Sequence, residues 1–165
     1  MDAQFTRTWS YGRTMTPPVL RSAAEADLSA IVDLLADDPL GRLREKPGDP
    51  AYAAAFAAIE ADPNQLLAVA DRDGEIVGTL QLTFIPGLSH AGATRAQLEA
   101  VRVREDERGN GLGGEMVRWA VAQARGRGAR ILQLTSNNSR ERAHRFYERL
   151  GFERSHVGMK LDLTG

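Results

Sequence analysis

Four of the six residues from Gly109 to Gly114 are glycine, and all four stand at one junction. The stretch before them, residues 94–103, reads as a strand that ends on Val101 and Val103. The stretch after them, residues 112–125, carries Leu112, Met116, Val117, Ala120, Val121 and Ala124 at helical spacing. Glycine loses more conformational freedom on folding than any other residue, so a run this dense weakens the chain unless it serves a purpose. It supplies a backbone that takes positive φ and lets a ligand come close. The first N–H groups of the following helix have no intrahelical partner. Together with the helix dipole they form an anion site suited to a pyrophosphate. The bland alternative is a flexible turn that binds nothing.

The rest of the chain frames this junction. At 165 residues it has the length of about one ordinary domain. Residues 1–18 read as a tail, because Pro17 and Pro18 break any helix and no period precedes them. Residues 19–163 read as the folded domain. The order predicted there starts with a strand at 19–21 and a helix at 24–38, with Ser22 and Glu25 as its capping box. A loop covers 42–50, and a second helix 51–60. Strands at 65–70 and 76–85 flank the turn Asp71-Arg72-Asp73-Gly74. After a loop at 86–92 come the strand 94–103, the helix 112–125, a strand at 130–135 and a helix at 139–150 closed by Gly151. Residues 152–163 supply one or two closing strands. The strand–helix–strand crossover makes the strands before and after the glycine turn parallel and right-handed. The fold class is therefore α/β (α+β in some schemes), with a mixed, mostly antiparallel sheet.

Several function classes drop out. A nucleotide P-loop needs Gly-Lys-Ser/Thr, and no lysine lies near the turn. A dinucleotide fold needs an acid about 20 residues on, where this chain has Thr135-Ser-Asn-Asn138. With no cysteine and three histidines, a thiolate zinc site and a Cys nucleophile are excluded and no metal is expected. No apolar run reaches the roughly 20 residues that span a bilayer, so neither a membrane partner nor an export signal is expected and a cytoplasmic location is the default. A net charge of −1 argues against a nucleic-acid partner. That neutrality conceals a division: residues 19–101 hold 6 bases and 13 acids (net −7), residues 102–160 hold 13 bases and 7 acids (net +6). The basic half carries the glycine turn, as a phosphate-rich ligand requires.

Arg108-Gly-Asn-Gly-Leu-Gly113 resembles the Gln/Arg-x-x-Gly-x-Gly/Ala signature of the GNAT superfamily of N-acetyltransferases. Ala143-His-Arg-Phe-Tyr-Glu-Arg-Leu-Gly-Phe152 resembles the same superfamily's late helix, A-x-x-F-Y-x-x-x-G-F, in the correct order and one strand downstream. The resemblance covers roughly residues 19–163 and implies a GNAT-like domain that uses acetyl-CoA. It also implies that the parallel pair is central in the sheet and that helices cover both faces. It places the pyrophosphate on Arg108, Gly109, Asn110, Gly111, Leu112, Gly113 and Gly114. The pantetheine arm pairs with the backbone of Val101 and Val103, like an added strand at a splayed sheet edge. The strand from residue 130 forms the other side of the splay and ends near Asn137.

The implied reaction moves an acetyl group to the primary amine of a small molecule. Zero cysteines favour direct attack in a ternary complex. Tyr147 matches the motif tyrosine and is the expected acid for the leaving thiolate; on spacing alone it also reads as a core aromatic. Glu99, the single acid between Glu75 and Glu105, is the expected base; the alternative is a carboxylate paired with Arg95 or Arg102. The N–H near Val101 is the oxyanion donor the resemblance implies. Among the histidines, His90 lies in the loop that often lines the acceptor site in the family, and reads first as a solvated loop histidine. His144 reads as surface and His156 as closing strand. Where relatives often carry an asparagine contacting the cofactor, this chain has Arg140, so Asn137 or Asn138 takes over that contact or Arg140 reaches a phosphate. A homodimer is open, as is the acetylation of a protein or peptide amine. A further alternative is a domain of this type that senses acyl-CoA without turnover.

Overall fold

The computed structural model describes residues 16–38 and 41–163; most of the expected tail, residues 1–15, lies outside them. The elements are β1 (Val19–Ser22), a 3-10 turn (Glu25–Asp27), α1 (Leu28–Ala36), α2 (Ala51–Ala61), β2 (Gln65–Arg72) and β3 (Glu75–Ile85). There follow a single irregular turn, α3 (Ser89–Gly92), then β4 (Arg95–Val103), a 3-10 turn (Glu105–Glu107), α4 (Leu112–Gly126), β5 (Ile131–Gln133) and α5 (Glu141–Arg149). The five strands form one sheet in the order β1-β2-β3-β4-β5, antiparallel except for the parallel pair β4–β5. This is the GNAT-like mixed sheet with its crossover helix, as expected. No helix among the described residues is long and apolar enough to cross a membrane.

The core lies between the sheet and α4. Ala68, Ala70, Leu80, Leu82, Phe84, Ala96 and Leu98 face Leu112, Met116, Val117, Ala120 and Ala124, all buried. The period of two in each strand meets the 3.6 period of α4 there, so the pattern alone selects that face. At Gly78 the two layers touch: a Cβ there would stand 2.7 Å from Met116 Sδ. On the other face α1 and α2 bury Ile31, Val32, Leu34 and Phe56.

The start of α1 differs from expectation. Its opening turn is held by Asp27, whose Oδ2 accepts from the Ala24 N–H at 2.8 Å, and not by a Ser22–Glu25 box. Arg21 grips the same Asp27 and also Asp71 of β2, tying β1 to the turn. That guanidinium contact holds the Asp27 carboxyl below the ordinary carboxylate range.

The expected closing strands do not form among the described residues: nothing after α5 joins the sheet. The parallel pair is therefore at the sheet's edge and not central. Val157, Met159, Leu161 and Leu163 do alternate, but each is exposed. Alternation selects a strand only where a neighbouring edge and a buried face receive it, and β5 offers three residues of edge.

Candidate active site

The site begins with a break in the sheet. The β4–β5 ladder holds three pairs, Arg95↔Ile131, Ala96↔Leu132 and Gln97↔Gln133, and then stops. β4 runs on to Val103 with no strand beside it on that edge. Along this open length sits a bulge. β3 pairs Gln81 with Glu99 and then Thr79 with Arg102, so Ala100 and Val101 together face Leu80. Ala100 takes φ 53, a left-handed conformation that costs a non-glycine residue roughly 1–3 kcal/mol and concentrates at functional sites. The bulge shifts the side-chain alternation. Leu98 and then Val101 and Val103 pack toward the α4 core, at an interval of three instead of two across the bulge.

The glycine turn lies at the end of that open strand. Gly109 and Gly111 have φ 86 and 91, which an L side chain rarely adopts. The N–H groups of Gly109, Gly111, Leu112, Gly113 and Gly114 donate to no acceptor among the described residues. Two N–H groups expected in the same cradle are taken: Arg108 donates to the Glu105 carbonyl at 3.2 Å and Asn110 to that of Glu107 at 3.4 Å. Five N–H groups without a protein acceptor, at the opening of a fifteen-residue helix, make a strong anion site.

Ion pairs hold this turn in place. Glu107 is buried and receives both terminal nitrogens of Arg72, whose Nε donates to the Thr16 carbonyl at 3.0 Å. The side chain of Arg108 works as a staple: Nε donates to the Val103 carbonyl at 2.9 Å and Nη2 reaches Asp37 Oδ2 at 2.8 Å. Its charge is thereby spent on α1's end.

Between the open strand, the turn and α5 lies a cleft of about 610 Å³. Of the residues singled out from sequence, Glu99, Val101, Val103, Arg108, Gly109, Gly111, Gly113, Gly114 and Tyr147 line it. Three do not. Leu112 is buried in the core beneath it, and Asn110 points to solvent at its rim. Asn137 is used in its own turn, where Oδ1 accepts from the Ser139 N–H at 2.9 Å and its carbonyl meets His144 Nε2 at 2.9 Å. His144 therefore serves that turn.

Tyr147 satisfies both readings of its position. Its ring makes edge contacts with Phe146 (5.0 Å) and Phe152 (5.6 Å), while the residue lines the cleft. Burial pushes its phenol above the ordinary tyrosine value, against the opposing pull of Arg140 and Arg102. The phenol is thus protonated at neutral pH. Glu99 is exposed toward the cleft and pairs with neither Arg95 nor Arg102.

Arg102, offered by the sequence as a partner of Glu99, and Arg140, offered as a phosphate contact, both line the cleft. Arg102 is largely buried, and its Nη2 lies 2.8 Å from Asp38 Oδ2; Arg140 approaches the same oxygen at 3.9 Å. A count by twos along β4 sets Arg102 on the face opposite Glu99. The bulge at Ala100 cancels that offset, and no sequence signal announces it.

This arrangement sets a phosphate-binding turn beside an open strand edge and a cleft. Its donor set fits coenzyme A: unpaired N–H groups for a pyrophosphate, basic Arg118 and Arg140 in the cleft for further phosphate, and an open strand edge for an amide-bearing arm. No cluster of three or more metal-ligating side chains occurs among the described residues.

Comparison with known proteins agrees. The family Acetyltransferase (GNAT) matches residues 28–152. Aminoalkylphosphonate N-acetyltransferase of Salmonella typhimurium is 33% identical over 137 residues, covering 83% of this chain and 86% of that protein. Glucosamine 6-phosphate N-acetyltransferase of Trypanosoma brucei brucei is 31% identical over 150 residues, covering 87% and 95%. A Bacillus halodurans structure, described as a transcriptional regulator, superposes with TM-score 0.86 at 45% identity and covers 88% of this chain and 99% of that one. The chain belongs to the GNAT family of acetyltransferases and is an acyltransferase whose family uses acetyl-CoA.

Proposed function

We propose that this protein transfers the acetyl group of acetyl-CoA to a primary amine of a small molecule, by direct attack in a ternary complex. The observation that carries the reading is the set of five unpaired N–H groups at the mouth of a cleft that also holds Glu99 and Tyr147. Acetyl-CoA supplies the thioester and, on transfer, a thiolate leaving group. The N–H groups of Gly109, Gly111, Leu112, Gly113 and Gly114 hold its pyrophosphate, with Arg108 and Asn110 shaping the loop around them. The open backbone of Val101 and Val103 pairs with its amide arm, and the Val101 N–H faces the developing oxyanion. Asn137 orders the turn that closes the opposite side.

Glu99 takes the proton from the attacking amine, directly or through water. Its exposure in the cleft gives an amine access without the burial of an unpaired charge. Tyr147 gives its proton to the departing sulfur. The environment that raises its pKa keeps that proton available throughout the neutral range.

The relatives named for aminoalkylphosphonate and glucosamine 6-phosphate act on small-molecule amines, which supports an acceptor of that kind here. A second reading is that this domain senses acyl-CoA without turnover; the Bacillus halodurans neighbour is described as a transcriptional regulator. One experiment separates them. Thiol release from acetyl-CoA is followed with a panel of small amines, and the acetylated product is identified by mass spectrometry. Amine-dependent release is expected. A coenzyme A-induced melting shift with no release for any amine defeats the catalytic reading.

A further inference from the structure

The face of the sheet turned away from α4 is made of two unlike parts. Under α1 and α2 it is apolar. Toward the splay its side chains become amides and hydroxyls. Because Leu66, Leu82, Phe84, Ala96 and Leu98 point into the α4 core, their strand neighbours Gln65, Gln81, Thr83, Gln97 and Glu99 stand on the opposite face. Register aligns them: Gln65↔Thr83, Thr83↔Gln97 and Gln97↔Gln133 form one rung across β2, β3, β4 and β5. Gln81 lies one step along β3, directly opposite Glu99.

These side chains fix one another. Gln65 Oε1 accepts from Gln81 Nε2 at 3.0 Å and from Thr83 Oγ1 at 2.9 Å, and Gln133 Nε2 donates to Gln97 Oε1 at 2.8 Å. A primary amide carries two donors and two acceptor lone pairs. The internal bonds therefore leave the amino groups of Gln65 and Gln97 and the carbonyls of Gln81 and Gln133 with capacity to spare. Donors and acceptors alternate along a strip about 14 Å long, set by three interstrand spacings. The strip is uncharged. On β4, Gln97 stands between Arg95 and Glu99, so charge appears only at its borders.

An uncharged strip of preset, alternating donors and acceptors matches groups that both donate and accept, and hydroxyls do so. It offers nothing to an alkyl chain. We propose that this rung, Gln65, Thr83, Gln97 and Gln133, together with Gln81 beside it, is the acceptor-recognition surface and selects a hydroxyl-rich primary amine whose nitrogen lies at Glu99. The inference rests on the acetyl-transfer reading for the position of the nitrogen. The rung itself is defined by register and hydrogen bonds.

The test uses two six-membered-ring amines, glucosamine and cyclohexylamine, and the variants Gln81→Leu and Gln97→Leu. Calorimetry on the protein saturated with coenzyme A reads binding without turnover. Glucosamine is expected to bind at least about tenfold more tightly than cyclohexylamine, and each variant to erase most of that preference, because a site built for hydrogen bonds rejects a partner that lacks them. Initial rates with acetyl-CoA form a second arm: each variant lowers kcat/KM for glucosamine at least about tenfold more than for cyclohexylamine. A variant that is merely unstable lowers both amines alike, and that result overturns the proposal, as does equal binding of the two amines to the wild type. Glucosamine-selective binding with no turnover of any amine sustains the rung and defeats the acetyl-transfer reading instead.

Discussion

Two surfaces that meet at Glu99, the cleft and the glutamine rung, are made in opposite ways. The wall proposed to face the acyl carrier is backbone: unpaired N–H groups on a glycine turn, locked from behind by the buried Arg72–Glu107 pair and the Arg108 staple. The wall proposed to face the acceptor is side chain: amides in register on an otherwise regular sheet. A backbone site recognises what every acyl-CoA shares and leaves its sequence trace in glycines. A side-chain site can be respecified one residue at a time without disturbing the strands beneath it. That division lets one scaffold keep its carrier while its acceptor changes.

Substitutions probe the contrast, the largest effect first. Glu107→Ala strands the Arg72 guanidinium in a buried place, which costs about 3–5 kcal/mol. A large fall in the urea midpoint, with loss of coenzyme A binding in what remains folded, is the expected result; unchanged stability would remove the lock from the carrier wall. Tyr147→Phe is expected to lower kcat about 100-fold, roughly 2.7 kcal/mol in the barrier, with the acetyl-CoA dissociation constant within about twofold.

The same residue makes a pH prediction. Burial raises its pKa above the ordinary value near 10, so its protonated form persists further into the alkaline range. The loss of kcat that belongs to Tyr147 is therefore expected above pH 10 and to vanish from the profile of the phenylalanine variant. A loss that sets in at pH 8 assigns the limb to another group.

Glu99→Gln is expected to lower kcat/KM by about tenfold or more near pH 6–7, and less at higher pH, where more amine is already free. A uniform loss across the profile would place Glu99 outside proton transfer. Gly111→Ala is the mildest. Forcing φ 91 on an alanine costs about 1–2 kcal/mol, so acetyl-CoA affinity is expected to fall about tenfold in a titration while the rung's preference between amines persists.

How much of this the sequence disclosed follows the same division. The glycine turn and the late-helix motif are local patterns, and they mark Arg108, Gly109, Gly111, Gly113, Gly114 and Tyr147, six residues of the cleft. Features that depend on registry were hidden. The rung exists because residues from four strands share a row, and no single strand carries its signature. Arg102 reaches the cleft side through a bulge at an alanine, a residue that does not advertise one. Asn137 was placed by its nearness to the splay, yet its hydrogen bonds are consumed by the turn before α5. The segment 152–163 shows the converse failure: its alternation is visible, but a strand also needs an edge long enough to receive it.

The most direct test of the two-wall account is a nitrogen-15 NMR titration of the intact protein, first with coenzyme A and then with glucosamine. The account predicts that coenzyme A shifts the backbone amides of Gly109, Gly111, Leu112, Gly113 and Gly114. Glucosamine, added to that complex, then shifts the side-chain amides of Gln65, Gln81 and Gln97. Coenzyme A moving the glutamine side chains while leaving the glycine turn untouched would contradict it.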